Sequence, residues 1–421
     1  MVKDFEKKLA RYADLIVHIG LNIQPGQRLA IGGKNLSRGA PLASAPLVRK
    51  VAESAYKAGA RYVNVLWDDD QLHLIRIANA PRDSFEEYPT WRSETLYEHA
   101  KNGDPIFTIF AENPDLYAGQ DEKLVTDLQH TMERNLKRST DLLMRDAYPW
   151  TLVSVPTEGW AARVFPDLPA EERMDALWDV IFKLVRCDLD DPVAAWKDHV
   201  AMLTKSSDWL NAQTFDALHY RGPGTDLTLG LPKGHIWKSA QSQVHNVGTV
   251  FMPNLPTEEV FSMPDNRRAE GRVRATMPLN YGGSLVEDFE LVFKDGKIVE
   301  HGAKKGEGTL KGILDTDEGS RRLGEVALVP NSSPISQSGL LFYNTLYDEN
   351  ASCHIALGRA YQFSMEGGAD MSTEEFGEHG GNHSLVHIDF MIGSDTLDID
   401  GLDAEGKATP IMRQGEWAFT T

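Results

Sequence analysis

Residues 28–67 constrain the fold more than any other part of the chain. RLAIGG reads as a short buried strand, PLVRKVAESAYKAG as a helix over roughly 46–58 with Gly59 at its C-terminal cap, and YVNVLW as a second strand. Two strands joined through a helix cannot form a tight hairpin; the crossover makes them parallel neighbours in one sheet. The pattern continues in PIFTIFAEN and WTLVSVPT, two more central strands with helices between them. The first 180 or so residues therefore read as an open α/β domain with a largely parallel sheet. Ahead of it, Phe5, Leu9, Tyr12, Leu15 and Ile16 fall at helical spacing, with Pro25-Gly26 as the stop. EERMDALWDVIFKLVRC predicts a closing helix near 170–186, broken by Asp190-Asp191-Pro192, and a further helix runs over 193–204.

After about residue 205 short strands with polar turns take over. FELVFKDGKIVEHGA predicts a hairpin with Asp295-Gly296 in a type I′ turn. GRVRATMPL, EVALVPN and SLVHIDFMIG read as strands of the same antiparallel system, interrupted by one helix over 309–322. The expected organisation is an α/β domain over 1–190 and a mainly antiparallel β domain with helices, carrying the chemistry, over 191–421.

Composition excludes several functions. The chain has 421 residues, 62 acidic against 43 basic, and a formal net charge of −19, which repels phosphate backbones and argues against a nucleic-acid partner. The densest basic stretch, RRAEGRVR (267–274), is interrupted by Glu270 and Gly271. No GxGxxG or GxxxxGK[ST] follows a predicted strand, and the glycine-rich GGKNLSRG (32–39) and GPGTDLTLGLPKG (222–234) read as turns. Cys187 and Cys353 are far apart, which points to a reducing compartment without a disulfide framework. No signal-peptide pattern and no apolar run near 20 residues occurs, so the expected location is the cytoplasm, with no membrane partner.

The chemistry concentrates in a few apolar segments of the second half. In HSLVHIDFMIG, positions two apart share a strand face, so His387 and Asp389 emerge side by side. They are either one buried hydrogen-bonded pair or two ligands aimed at one metal. NLPTEEVFSMP carries Glu258 and Glu259, RRLGEVALVP carries Glu325, and LYDENASCHIALGRAY carries Glu349, His354 and Tyr361. Each alone is ordinary: a strand-end Glu is usually solvated, a lone His usually a core residue, a Tyr usually packing. Together they are not, because several carboxylates share a dry pocket only with protons or cations. Divalent metals bound by carboxylate oxygens and imidazole nitrogens supply that neutralisation, with zinc, cobalt or manganese suited to the donors. A catalytic zinc takes about three protein ligands. Six candidates, Glu259, Glu325, Glu349, His354, His387 and Asp389, exceed that number and fit two ions about 3.5–4 Å apart. HExxH is absent.

NLPTEEVF, LGEVALVP, LYDENASCHIALGRAY and HxDFMIG, in this order and spacing, resemble the aminopeptidase T / aminopeptidase S family of metallo-aminopeptidases. The resemblance implies release of N-terminal residues from small peptides by a water activated between two divalent ions (zinc, cobalt, manganese or magnesium). It implies Glu259 as the ligand of the acidic pair and Glu325 as the bridging carboxylate. Glu349, His354, His387 and Asp389 complete the coordination, with Tyr361 a catalytic hydrogen-bond donor above the metals. It also implies a homodimer enclosing the active sites. Adjacent Glu258 faces the other way and is the candidate for carrying a proton to the leaving amine. His379 and His383, in STEEFGEHGGNHS, are expected in an exposed loop. The competing readings are a two-metal hydrolase of phosphoesters or non-peptide amides, and a non-catalytic relative without metals.

Overall fold

Strand β1 (Arg28–Gly33) is apolar because both its faces are covered: Leu29, Ala30 and Ile31 are fully buried. With β2 (Tyr62–Val65), β3 (Ile106–Ile109) and β4 (Trp150–Val153) it forms a sheet of order β2-β1-β3-β4, every pair parallel. The predicted crossover helix spans Ala45–Lys57 and buries Leu47, Val48, Val51 and Ala55. Gly59 follows at φ +96°, the left-handed conformation a C-terminal cap requires. Ala30, Leu66, Leu96, Ala100, Ile106, Leu136 and Tyr148 make one core cluster beside this sheet. The amino-terminal helix stops earlier than Pro25-Gly26. It runs Phe5–Leu15 and widens into a π-turn over Ile16–Gly20, where Gly20 passes so close to Thr151 that a side chain would clash.

The computed structural model describes residues 2–33, 38–111, 113–245, 247–281 and 284–419; the middle of GGKNLSRG, residues 34–37, lies outside them. The chain divides into two compact units, Met1–Asp198 with Gln241–Pro256, and His199–Ala240 with Thr257–Thr421. Among the described residues no helix is long and apolar enough to cross a membrane.

The second unit is antiparallel, but its strands form two sheets rather than the single system expected from sequence. Ala269–Arg274 and the hairpin Ser284–Lys294/Lys297–Lys305 belong to a nine-stranded sheet, and Asp295 and Gly296 take positive φ (51° and 75°), as a type I′ turn needs. The strands carrying EVALVPN and SLVHIDFMIG belong to a separate four-stranded sheet. That sheet is β5 (Val260–Ser262), β6 (Leu323–Leu328), β7 (His354–Gly358) and β8 (His387–Met391), in that order. Which strands pair is set by packing over long sequence separations, and each strand's own alternation is the same in either arrangement.

Three local expectations also change. Within 222–234 the turns are Pro223-Gly224 and Lys233-Gly234, whereas Thr225–Gly230 between them is a strand paired with Ala217–Gly222. The helix expected over 309–322 ends at Leu314. The Asp317 carboxylate accepts the backbone N–H groups of Ser320 (2.8 Å) and Leu385 (2.7 Å), which draws the chain out of helical geometry. The helix expected over 193–204 extends over Pro192–Gln213. Its last turns are tied by Asn211, which exchanges hydrogen bonds with the Trp237 backbone at 2.8 and 3.0 Å.

Candidate metal centre

The four-stranded sheet has one oily face and one chemical face, and the alternation of its strands creates both. Val326, Leu328, Ile355, Leu357, Ile388 and Phe390 point to one side and are 0–7% exposed. There Phe390 meets Phe289, at a ring separation of 5.2 Å. The intervening residues point the other way. Cross-strand partners share a face, so the pairings Glu325↔Ala356↔Asp389, Ala327↔His354↔Met391 and Gly358↔His387 put two carboxylates and two imidazoles on one side. The residues among them are small: Ala327, Ala356 and Gly358. A bulge between Leu323 and Glu325 sets the aim of Glu325. Gly324 occupies the bulge, where a Cβ would lie 2.3 Å from the Arg359 carbonyl oxygen.

Glu259 enters from the residue immediately before β5. Ligand atoms of Glu259, Glu325 and His354 lie within 4.8 Å of one another, and so do those of Glu325, His387 and Asp389. Glu325 belongs to both groups: its Oε1 is 3.8 Å from His354 Nε2 and its Oε2 is 3.4 Å from His387 Nε2. Glu259 Oε2 lies 3.2 Å from His354 Nε2, and Asp389 Oδ1 lies 3.4 Å from His387 Nε2. Glu349 is outside both compact groups, yet its carboxyl is held well above the ordinary range by burial and by the charges of Glu259 and Asp389.

Both imidazoles are fixed from behind. His354 Nδ1 donates to the Ser352 carbonyl (3.0 Å) and His387 Nδ1 to the Arg359 carbonyl (2.7 Å). A neutral ring so oriented turns its Nε2 lone pair toward carboxylate oxygens. Lone pairs facing lone pairs are repulsive unless a cation lies between them. With no metal, protons fill that role: burial would lower both imidazoles, but Glu259 and Glu325 hold His354 well above its usual value, and Asp389 does the same for His387. Glu259 is itself raised, by burial, whereas the nearby His387 draws Asp389 down against burial.

The donors fit a metal. Glu259 Oε2 and Asp389 Oδ1 are buried, each beside an imidazole, and no well-formed hydrogen bond satisfies either oxygen. Ligands about 2.1 Å from an ion at tetrahedral corners stand about 3.4 Å apart. The four carboxylate–imidazole separations, 3.2, 3.8, 3.4 and 3.4 Å, bracket that spacing. Cys353, next to His354, is no thiolate donor: burial pushes its thiol up to about 11, and Sγ bonds the Val329 carbonyl.

Tyr361 flanks the cluster, its ring 4.8 Å from His387 and stacked at 4.9 Å on Phe363. Burial and the carboxylates of Glu325, Asp389, Glu349 and Glu259 raise its phenol well above 10, so it stays protonated. Glu258 turns from the cluster to His199, 3.2 Å away. His379 is exposed and bonds the Glu375 carbonyl, and His383 is exposed. The basic stretch offers no phosphate cradle: Arg267, Arg268, Arg272 and Arg274 face Asp265, Asp216, Glu290 and Asp288. Sequence reasoning missed the small floor residues and the Gly324 bulge. Their one signal is the run of small residues at alternate positions in HIALG.

A cluster of carboxylates and imidazoles on one face of an antiparallel sheet has the donor chemistry of a metalloprotein. A family model described as thermophilic metalloprotease (M29) matches residues 5–417. Aminopeptidase 2 of Geobacillus stearothermophilus is 48% identical over 415 residues, covering 99% of this chain and 98% of that protein. Aminopeptidase T of Thermus thermophilus is 42% identical over 413 residues, covering 98% and 99%. The solved structure of wild-type AmpT from Thermus thermophilus superposes with a TM-score of 0.91 at 41% identity, covering 99% of this chain and 100% of that one. The chain belongs to the thermophilic metalloprotease (M29) family and is a metal-dependent peptide hydrolase.

Proposed function

We propose that this protein is an aminopeptidase that removes N-terminal residues from small peptides at a centre for two divalent ions. The observation that carries the number two is Glu325: its two oxygens face two different imidazoles, each in its own three-residue group. Glu259 and His354 would hold one ion, His387 and Asp389 the other, Glu325 both, and Glu349 would complete the set from the rim. When bound, such ions, of the zinc, cobalt, manganese or magnesium type, polarise the scissile carbonyl and bring the pKa of a water down to about 7.

The chain's own residues do the rest. The Ser352 and Arg359 carbonyls lock both imidazoles with Nε2 toward the substrate side. Tyr361, kept protonated by its acidic neighbours, donates a hydrogen bond to the oxygen on which negative charge develops. The Phe261–Tyr361–Phe363 ring cluster bounds the same side of the site with apolar surface. The names of the relatives support N-terminal specificity, and resemblance to that family supports a homodimer. Two buried, unpaired cysteines support a cytoplasmic setting.

The test pairs elemental analysis with chelation and metal-by-metal restoration, on aminoacyl p-nitroanilides and their N-acetylated counterparts. The proposal expects about two ions per chain, loss of activity on chelation, recovery with added metal, and no turnover of blocked substrates. One ion per chain, or cleavage of blocked peptides, overturns it.

A further inference from the structure

A buried polar network joins the two acidic segments of the metal centre, and its most distant member is on a helix. His199, on Pro192–Gln213, is 7% exposed; Glu258 is 4% and Asn350 0% exposed. His199 Nε2 donates to the Thr257 carbonyl at 2.9 Å and faces Glu258 Oε2 at 3.2 Å. The Glu258 backbone N–H donates to Asn350 Oδ1 at 2.7 Å. The Asn350 amide donates to the Leu346 carbonyl at 2.8 Å and reaches Glu349 Oε1 at 3.5 Å. The Asn350 carbonyl in turn accepts from Ser333 Oγ at 3.2 Å.

The segment thus gripped is Thr257-Glu258, immediately before Glu259. It lies just outside β5, where no ladder hydrogen bonds fix the backbone. Neighbouring residues of an extended chain face opposite ways, so a grip on Glu258 and on the Thr257 carbonyl fixes the direction of Glu259. The other histidines near the centre are oriented by backbone carbonyls and are themselves donors to the cluster. His199 plays the reverse part: a helix-borne ring orients the backbone that carries a cluster carboxylate.

We infer that His199 is a positioning residue of the metal centre, holding Thr257-Glu258 so that the Glu259 carboxylate meets His354 and Glu325. This rests on the reading that the cluster binds divalent ions. What His199 supplies is an N–H donor at a fixed place, so a side chain that keeps the donor should keep the site. Outer partners of this kind typically change metal affinity about 10–100-fold.

The experiment compares full-length wild type, His199→Gln, His199→Phe and His199→Leu. Cobalt affinity is measured by competition with a chromophoric chelator, the visible absorption of the cobalt-loaded protein is recorded, and thermal unfolding monitors the fold. The expected result is cobalt binding weakened about 10–100-fold, with an altered spectrum, in the folded apolar variants. His199→Gln should restore most of the affinity and the wild-type spectrum. Wild-type cobalt affinity and spectrum in either apolar variant overturns the inference. So does a His199→Gln no better than His199→Phe, or failure of both apolar variants to fold, which makes the ring a general structural element. Wild type that binds no cobalt instead overturns the underlying reading of the cluster, a distinct outcome.

Discussion

Glu325 and Asp389 stand in one row across the four-stranded sheet, two strands apart, with only Ala356 between them. Neighbouring strands lie about 4.8 Å apart, so the two backbones are separated by about twice that. Yet ligand oxygens of both residues fall within the 4.8 Å group completed by His387. The side chains therefore lean toward each other over a single methyl group, and the space above Ala356 is where their charges meet. A sheet face becomes a cation site here because its middle strand withholds bulk at the centre of the row.

Ala356→Val tests that geometry. Valine suits a strand but places two methyl groups where the carboxylates converge. Overpacking of this kind costs about 1–3 kcal/mol, so the protein should still fold with a lowered melting temperature. Ion content by elemental analysis should fall, and activity should drop by at least the roughly 10–100-fold typical of disturbed metal surroundings. Ala356→Gly should keep its ions. A valine variant carrying the wild-type complement would show that the row is not the floor of the site.

Tyr361→Phe removes one hydroxyl while keeping the ring that packs on Phe363 and His387. Loss of one oxyanion donor typically lowers turnover ~10²–10³-fold. The expected outcome is that loss in kcat, with little change in KM and unchanged metal content. Burial and four nearby carboxylates keep the phenol protonated, so the wild-type rate should show no break assignable to phenol ionisation below pH 10. Near-wild-type kcat in the variant would remove Tyr361 from the chemistry.

Much of this site is legible in the sequence, for a physical reason. Carboxylates and imidazoles inside apolar strands are conspicuous because burying them without partners is expensive. His387 and Asp389 could be placed on one face from strand periodicity alone, and Ile388 and Phe390 on the opposite one. The parallel sheet was readable because helices between strands leave few topologies. What sequence did not reveal carries no chemical signature. Ala356 and Gly324 look like any small strand residues, although one leaves the space and the other permits the bulge. The division of the antiparallel strands into two sheets depends on contacts between segments distant in sequence. His199 reads as one histidine on a helix, and only the fold brings it to Glu258.

In the first unit, Asp68 accepts His73 Nε2 at 2.9 Å and lies 3.5 Å from Arg38 Nε. Burial would raise its carboxyl, but the His73 hydrogen bond and the His73 and Arg38 charges outweigh burial and hold it well below the ordinary range. A carboxylate with a depressed folded pKa adds stability that is present above its unfolded pKa, about 3.9, and lost as pH falls through the folded value. Asp68→Asn should therefore lower stability at pH 7, by about 1–3 kcal/mol for groups left poorly paired. The gap to wild type should narrow as pH drops below about 4. Urea unfolding of both proteins at pH 7 and pH 3 checks this; a gap independent of pH would mean the Asp68 charge contributes nothing.

Metal removal should cost stability in a way that grows with pH. A ligand bound only by the folded state adds about 2.7 kcal/mol at a hundred times its dissociation constant. In the metal-free protein the cluster is left with its protons: burial raises Glu259 and Glu349, and their acidic neighbours raise His354 and His387. For each of these four groups the folded state prefers the protonated form. The contribution is fully present below the unfolded values, about 4.3 for Glu and 6.5 for His, and is lost as pH rises through the raised folded values. Asp389, drawn down by His387, acts in the opposite sense, but it is one group against four. Metal binding gains over the same range, since protons no longer compete for the ligands. Melting temperatures of metal-loaded and chelated protein should thus lie closest near pH 5 and separate progressively toward pH 8. A constant separation across that range would mean that protons and metal do not compete for this cluster.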